Sequence, residues 1–98
     1  MSLRFHPGVQ RDINEVLDYY SERSVTAADR FWDELHECFR DITENPKHFS
    51  FINPTRGLRR IRLRKFPYLV IFYESANEVK VTCVKHEKRH PLFGMKRR

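Results

Sequence analysis

Residues 58–90, LRRIRLRKFPYLVIFYESANEVKVTCVKHEKRH, decide the fold. They read as three short strands separated by two turn signals. Leu58–Arg64 alternates apolar side chains with arginines, Tyr68–Glu74 is an unbroken apolar run of strong strand formers, and Val79–His86 alternates again. A period of two sends successive side chains to opposite faces of a sheet, and the continuous run marks a central strand covered on both faces. With Ala76-Asn77 and Lys65-Phe66 as hairpin loops, Phe72 lies opposite Val81, Val70 opposite Cys83, Ile61 opposite Val70, and Leu63 opposite Tyr68. One face then holds Ile61, Leu63, Tyr68, Val70, Phe72, Val79, Val81 and Cys83, which is a core. The other holds Arg60, Arg62, Arg64, Leu69, Ile71, Tyr73, Lys80, Thr82, Val84 and His86, the candidate working surface. A slip of one residue in either hairpin would drive arginines into the core, so the pattern disfavours it.

Upstream, Leu3-Arg4-Phe5 alternates as a short first strand. Pro7 suits the first position of a helix, where its fixed φ fits and its missing N–H costs nothing. Val9, Ile13, Val16, Leu17 and Tyr20 form an apolar helical stripe, with Arg11, Asp12, Asn14, Glu15 and Asp18 on the wet side. Thr26, with Asp29 three residues on, resembles a capping box for a second helix. That helix carries Ala28, Phe31, Trp32, Leu35, Phe39 and Ile42 and stops at Asn45-Pro46. A short link between two amphipathic helices predicts an antiparallel hairpin, and the core face of the sheet is its only partner. At about 2 kcal/mol per fully buried large side chain, Phe31, Trp32, Leu35 and Phe39 are expected to dominate the docking. Lys47–Gly57 is expected to be a loop whose Phe49, Phe51 and Ile52 fold back onto the core. The expected architecture is a single α+β domain over residues 1–98: a short N-terminal strand, an antiparallel helical hairpin, and a small, mainly antiparallel sheet (β-α-α-β-β-β).

The chain carries a formal charge of +6, unevenly spread. Residues 1–57 hold 7 Lys/Arg against 10 Asp/Glu, whereas residues 58–98 hold 12 against 3. A basic sheet and tail beside a mildly acidic helical half suit a polyanionic partner or an acidic protein surface. The longest apolar run, Tyr68–Tyr73, is far too short to span a bilayer, and no signal segment opens the chain, so a cytoplasmic protein without membrane partners is expected. Cys38 and Cys83 fall on apolar faces without CxxC spacing and read as small core residues.

No Walker loop, GxGxxG, GxSxG or HExxH motif is present. His6, His36, His48, His86 and His90 lack the spacing of a metal site, so neither a metal nor a cofactor is expected. Lys85, His86, Lys88, Arg89 and His90 cluster beside Arg60, Arg62 and Arg64. Metal-independent RNA cleavage needs a base for the 2′-hydroxyl, cations for the charge developing at phosphorus, and an acid for the leaving oxygen. Histidine and arginine on one face could supply these. A solvated basic rim around an interaction surface explains the same residues.

The stretches VQRDINEVLDYY, AADRFWDELHECFRDITENP, GLRRIRLRKFPYLVIFYE and VKVTCVKHEKRHP, in this order, resemble the RelE/ParE superfamily of type II toxin–antitoxin toxins. The resemblance covers nearly the whole chain. Its most telling part is GLRR, then PYLVIFY, then Val84, His86 and Arg89 in the terminal V-x-H-x-x-R. It implies a small toxin neutralised by a cognate antitoxin whose C-terminal segment wraps it and often extends its sheet. Leu69, Ile71, Tyr73 and Val84 on the basic face would then lie beneath an amphipathic acidic segment. The implied binding face, for antitoxin or target, comprises Arg60, Arg62, Arg64, Leu69, Ile71, Tyr73, Lys80, Val84, Lys85 and Arg89. Two mechanisms are open. RelE-like members cleave mRNA on the ribosome, which would make His86, His90 and Arg89 catalytic. However, Phe93 stands where such enzymes usually carry a tyrosine, and Glu87 where a second cation would help. ParE-like members, which the GLRR, PYLVIFY and HxxR pattern favours, inhibit DNA gyrase and need no catalytic set. A degenerate relative that only binds is the third alternative, and no oligomeric state is implied.

Overall fold

The computed structural model describes all 98 residues. In chain order the elements are β1 (Ser2–Phe5), α1 (Gly8–Ser21), α2 (Val25–Glu44), β2 (Phe51–Asn53), β3 (Leu58–Arg62), β4 (Tyr68–Ser75) and β5 (Glu78–His86). The strands form one sheet in the order β1-β5-β4-β3-β2. β1 runs parallel to β5, a pairing that the long intervening connection allows, and every other pairing is antiparallel. The expected α+β order is therefore present, with β2 added inside the segment read as a loop. No helix is long and apolar enough to cross a membrane.

The hairpin turn is where the alternation placed it. Ala76 and Asn77 both have positive φ, 46° and 66°, the geometry that lets a two-residue turn match the twist of its strands. Ser75 faces Glu78, Phe72 faces Val81 and Ile61 faces Val70, as expected. Between Phe72 and Ile71 the register shifts by one, because Thr82 is an extra residue in β5. Beyond this bulge the faces exchange: Ile71 lies opposite Cys83, and Val70 opposite Val84. The expected places of Cys83 and Val84 are thus reversed. Val84 joins the main core under the helices, and Cys83 packs with Leu58 and Ile71 on the opposite face.

The main core lies between the helical hairpin and one face of the sheet, with Phe31, Leu35, Ile42, Val70, Phe72, Val79 and Val81 fully buried. Four expectations need correction. Ser24, not Thr26, caps α2: its backbone is extended and its hydroxyl accepts from the Ala27 N–H at 3.1 Å. Lys65-Phe66 is not a two-residue loop. Leu63 N–H still bonds Tyr68 O (3.0 Å), but the chain bends through residues 64–67 so that Phe66 enters the core edge-on to Tyr20 and Phe31. Trp32 is not a docking residue; it is 45 % exposed, lying against His36. Phe49 does pack on the core against Phe72, but Phe51 remains exposed, with the Arg59 guanidinium 3.8 Å from its ring centre.

Phe31→Ala should destabilise the protein by about 3–5 kcal/mol, as expected for an emptied aromatic site in a packed core. Trp32→Ala should cost less than about 1 kcal/mol by the scale of exposed substitutions. Denaturant midpoints of the two variants, measured side by side, check this difference.

Candidate functional site

The second face of the sheet, expected to be open, is partly roofed by the C-terminal segment after β5. Phe93 and Met95 pack on Leu58, Ile71 and Cys83. Arg56 Nη1 donates to the Met95 carbonyl at 2.7 Å, and the Arg98 guanidinium lies 4.6 Å from the centre of the Tyr73 ring. Close approach needs glycine at two points. Gly94 has φ 76°, and a Cβ there would fall 2.7 Å from Cys83 Sγ. A Cβ on Gly8 would fall 2.7 Å from the Arg97 guanidinium carbon.

Arg97 is the anchor of this segment. β1 pairs with β5 only as far as Val81, so from Thr82 onward that edge of β5 has no strand beside it. Two residues meet it instead. Asp12 Oδ2 accepts from the Val84 N–H at 3.0 Å, and Arg97 Nη1 donates to the Thr82 carbonyl at 3.1 Å. The two side chains also pair with each other, Nη1 to Oδ2 at 2.6 Å and Nη2 to Oδ1 at 3.2 Å. Asp12, read as a residue of the wet side of α1, is buried. Backbone groups at a bulge next to a strand's end need partners, and these two side chains provide them.

The residues expected to form one binding face divide into three groups. Arg60 and Arg62 are exposed on the second face, opposite Ile71 and Leu69 in register. Arg62 Nε bonds Glu87 Oε2 at 2.8 Å, which raises the Arg62 pKa and holds the Glu87 carboxyl below the usual range. The second group lies beneath the tail. Ile71 is buried, and Leu69 and Tyr73 are half-buried against it. Lys80 Nζ donates to the Arg98 carbonyl at 2.7 Å. Lys85 is buried and donates to the carbonyls of Pro91 (3.0 Å) and Phe93 (3.1 Å), and burial lowers its pKa. The third group is elsewhere. Arg64 lies beyond the end of β3 and bonds Glu37 of α2, and Val84 belongs to the main core because of the bulge.

His86 ends β5, and Arg89 and His90 follow in and just after the turn beyond it. The Lys88 N–H donates to His86 Nδ1 at 3.0 Å, and the Leu92 N–H donates to His90 Nδ1 at 3.1 Å. Each neutral ring so held carries its proton on Nε2 and offers a donor, not a base. His86 packs edge-on to Tyr68, 5.2 Å between ring centres, and Arg89 lies 3.9 Å above the Phe93 ring. Asp12, Gly94 and Arg97 were not expected to matter here, and Phe93 was noted only for standing where a tyrosine is usual. Their only sequence signal is an acid in the first half of a helix and a glycine in a basic tail.

Similarity to known proteins agrees with this geometry. The family model described as the ParE toxin of the type II toxin–antitoxin system parDE matches residues 3–91. The chain is 27 % identical over 90 residues to "Toxin ParE2" of two Mycobacterium tuberculosis strains, covering 91 % of this chain and 84 % of each relative. The fold matches a solved chain of the chromosomal ParDE system of P. aeruginosa with a TM-score of 0.76 at 16 % identity, over 88 % of this chain and 95 % of that one.

Burial pushes the Cys38 thiol up to about 12 and the Cys83 thiol up to about 11, so neither should react readily with a disulfide reagent at neutral pH in the folded protein. Arg97→Ala removes the anchor and leaves the Asp12 carboxylate buried without its cation, at a cost of about 3 kcal/mol or more. In that variant Cys83, under the released tail, should react faster than in the parent, while Cys38, on the buried face of α2, should not change. Timed thiol labelling with mass spectrometry of each cysteine checks both statements.

Proposed function

The chain belongs to the ParE toxin family of type II toxin–antitoxin systems, and from that premise we propose that it acts by binding its target, DNA gyrase, and is neutralised by a cognate antitoxin. The observation that carries the binding mechanism is the state of the two histidines. A metal-independent nuclease needs a side chain able to take a proton from the 2′-hydroxyl. His86 and His90 both have Nδ1 engaged by backbone N–H groups of the following turn, which leaves donors at Nε2. Phe93 has no proton to exchange, and Lys85, the nearest amine on β5, is buried and bound to two carbonyls.

Binding needs something different, and the open part of the second face has it. Arg60 and Arg62 project from β3 beside the half-buried Leu69, which together offer cations around an apolar strip. Such a face suits an acidic amphipathic segment of an antitoxin or an acidic surface of a target. The antitoxin and the target would compete for these residues, and that competition is a simple means of neutralisation.

One observation favours the nuclease reading. Glu15, Tyr19, Tyr68, Lys85, His86 and Arg89 line a common cleft of about 180 Å³. Carboxylate, phenol, imidazole and guanidinium groups there could serve proton transfer if the histidine ring turned over.

Induced expression in a bacterial host, with thymidine and methionine incorporation followed in parallel, separates the readings. The binding mechanism on gyrase predicts that DNA synthesis fails first and that a His86→Ala/His90→Ala variant remains toxic. Early failure of protein synthesis, lost in that double variant, would establish the ribosomal nuclease instead. Arg60→Glu and Arg62→Glu should each reduce toxicity strongly in a folded protein. The Arg62–Glu87 pair is exposed and solvent-screened, so stability should barely change. Full toxicity in both folded variants would remove this face from the mechanism.

A further inference from the structure

Between the C-terminal tail and the Pro54–Arg56 turn lies a cavity of about 770 Å³, which no part of the proposed toxin mechanism uses. Its size falls in the range of small-molecule sites. Ile52, Leu92, Phe93 and Met95 supply apolar wall, while His6, Asn53, Arg56, Lys96 and Arg97 supply the polar part. No carboxylate lines it.

The polar groups left over in this cavity are donors. Arg56 and Lys96 make no ion pair, although Arg56 Nη1 is held by the Met95 carbonyl. Asn53 Oδ1 accepts the Arg56 N–H at 3.2 Å, so its amide nitrogen is the group that stays free. His6 Nδ1 accepts the Gly8 N–H at 3.0 Å, which leaves Nε2–H as a donor on the neutral ring. The tail carbonyls from Pro91 to Met95, by contrast, are engaged. The carbonyls of Pro91 and Phe93 take Lys85, those of Leu92 and Gly94 take the N–H groups of Met95 and Arg97, and that of Met95 takes Arg56. Arg97 is satisfied by Asp12 and contributes shape rather than a free charge.

A cavity that offers donors, cations and apolar wall, with the Pro91–Met95 carbonyls already taken, favours a ligand rich in acceptors and poor in donors. A peptide fits badly, since its own N–H groups would find few acceptors. A phosphate group fits well: it brings only acceptor oxygens, and guanidinium groups match its geometry. The apolar wall suits the ring of a base. We propose that this cavity binds the phosphate of a nucleotide, with the base against the apolar wall, either as the free nucleotide or as part of a nucleic-acid strand. Arg56 is the principal phosphate ligand, held in place beforehand by the Asn53 cap, the left-handed Gly57 (φ 70°) and the Met95 carbonyl. Lys96, exposed and without an ion pair, adds the second cation. This site is independent of the toxin's target and stands or falls separately.

The test uses the whole chain and three probes: inorganic phosphate, AMP, and a short single-stranded oligonucleotide. Two-dimensional ¹H–¹⁵N spectra should show saturable shifts at Asn53, Arg56 and Lys96 with AMP or with the oligonucleotide. Saturation by AMP identifies a free nucleotide as the ligand, and saturation by the oligonucleotide alone identifies a strand. Burial and then the charges of Arg97 and Lys80 lower the His6 pKa, so a bound phosphate dianion should move the His6 titration upward. Lys96→Glu, at an exposed position, should weaken binding by about tenfold or more without altering the fold. No saturable shift at millimolar AMP and oligonucleotide overturns the proposal. So does binding of inorganic phosphate alone, shifts confined to Arg60 and Arg62, or affinity unchanged in Lys96→Glu.

Discussion

The Asp12–Arg97 pair is the contact on which the arrangement of the functional half depends. It joins the first helix to the bulged strand and the C-terminal tail, both more than 70 residues away in sequence. A buried ion pair by itself is weak grounds for stability, because removing two charges from water offsets much of their attraction. This pair does more than attract. Each partner also bonds a backbone group of β5 past the point where β1 ends, and an unmet backbone group there would carry its full desolvation cost. α1 and the tail therefore take the place of the missing neighbouring strand.

The bulge at Thr82 has two consequences. It brings Val84 into the main core and sends Cys83 to the other face, where the small thiol permits Gly94 to lie against it. The tail can then settle over Leu58 and Ile71 with Phe93 and Met95 as its apolar contacts. A sheet face that would otherwise be bare is thus divided. Its Arg60 and Arg62 end is open, and its Tyr73 and Lys80 end is covered by the chain itself. Binding to the covered end would require displacing the tail, whereas binding to the open end would not.

Much of this was legible in the sequence. The arginines of β3 fix its faces, since any slip would bury them, and Ile61 does face Val70. The positive-φ turn at Ala76-Asn77 follows from two strands separated by two residues. The bulge was not legible, because Val81, Thr82, Cys83 and Val84 are all small and tolerate either face. Alternation carries no penalty for a shift there, so it could not report one. Asp12 looked solvated because its neighbours Arg11 and Glu15 are, and its partner lies 85 residues away. Trp32 misled because it borders the apolar stripe of α2. Phe31 takes the buried position, and the larger ring next to it turns outward onto His36. Ser24 and Thr26 are both competent caps, and only the backbone angles decide between them.

The candidate site was harder to read than the fold for a physical reason. A basic tail with Pro91, Gly94 and several cations has the composition of a solvated end, and nothing in its periodicity marks a partner. Its order comes from tertiary contacts: a guanidinium against Gly8, a backbone turn against Cys83, and lysine ammonium groups bound to its carbonyls. These contacts also change what the basic residues can do. Lys85 and Arg97 look like surface charges in the sequence, yet both are held inside the structure. Arg56, Arg60 and Lys96 remain without a carboxylate, on either side of the tail. The net charge of +6 therefore overstates the charge available at any single surface. What meets a partner is set by which cations the tail has already engaged.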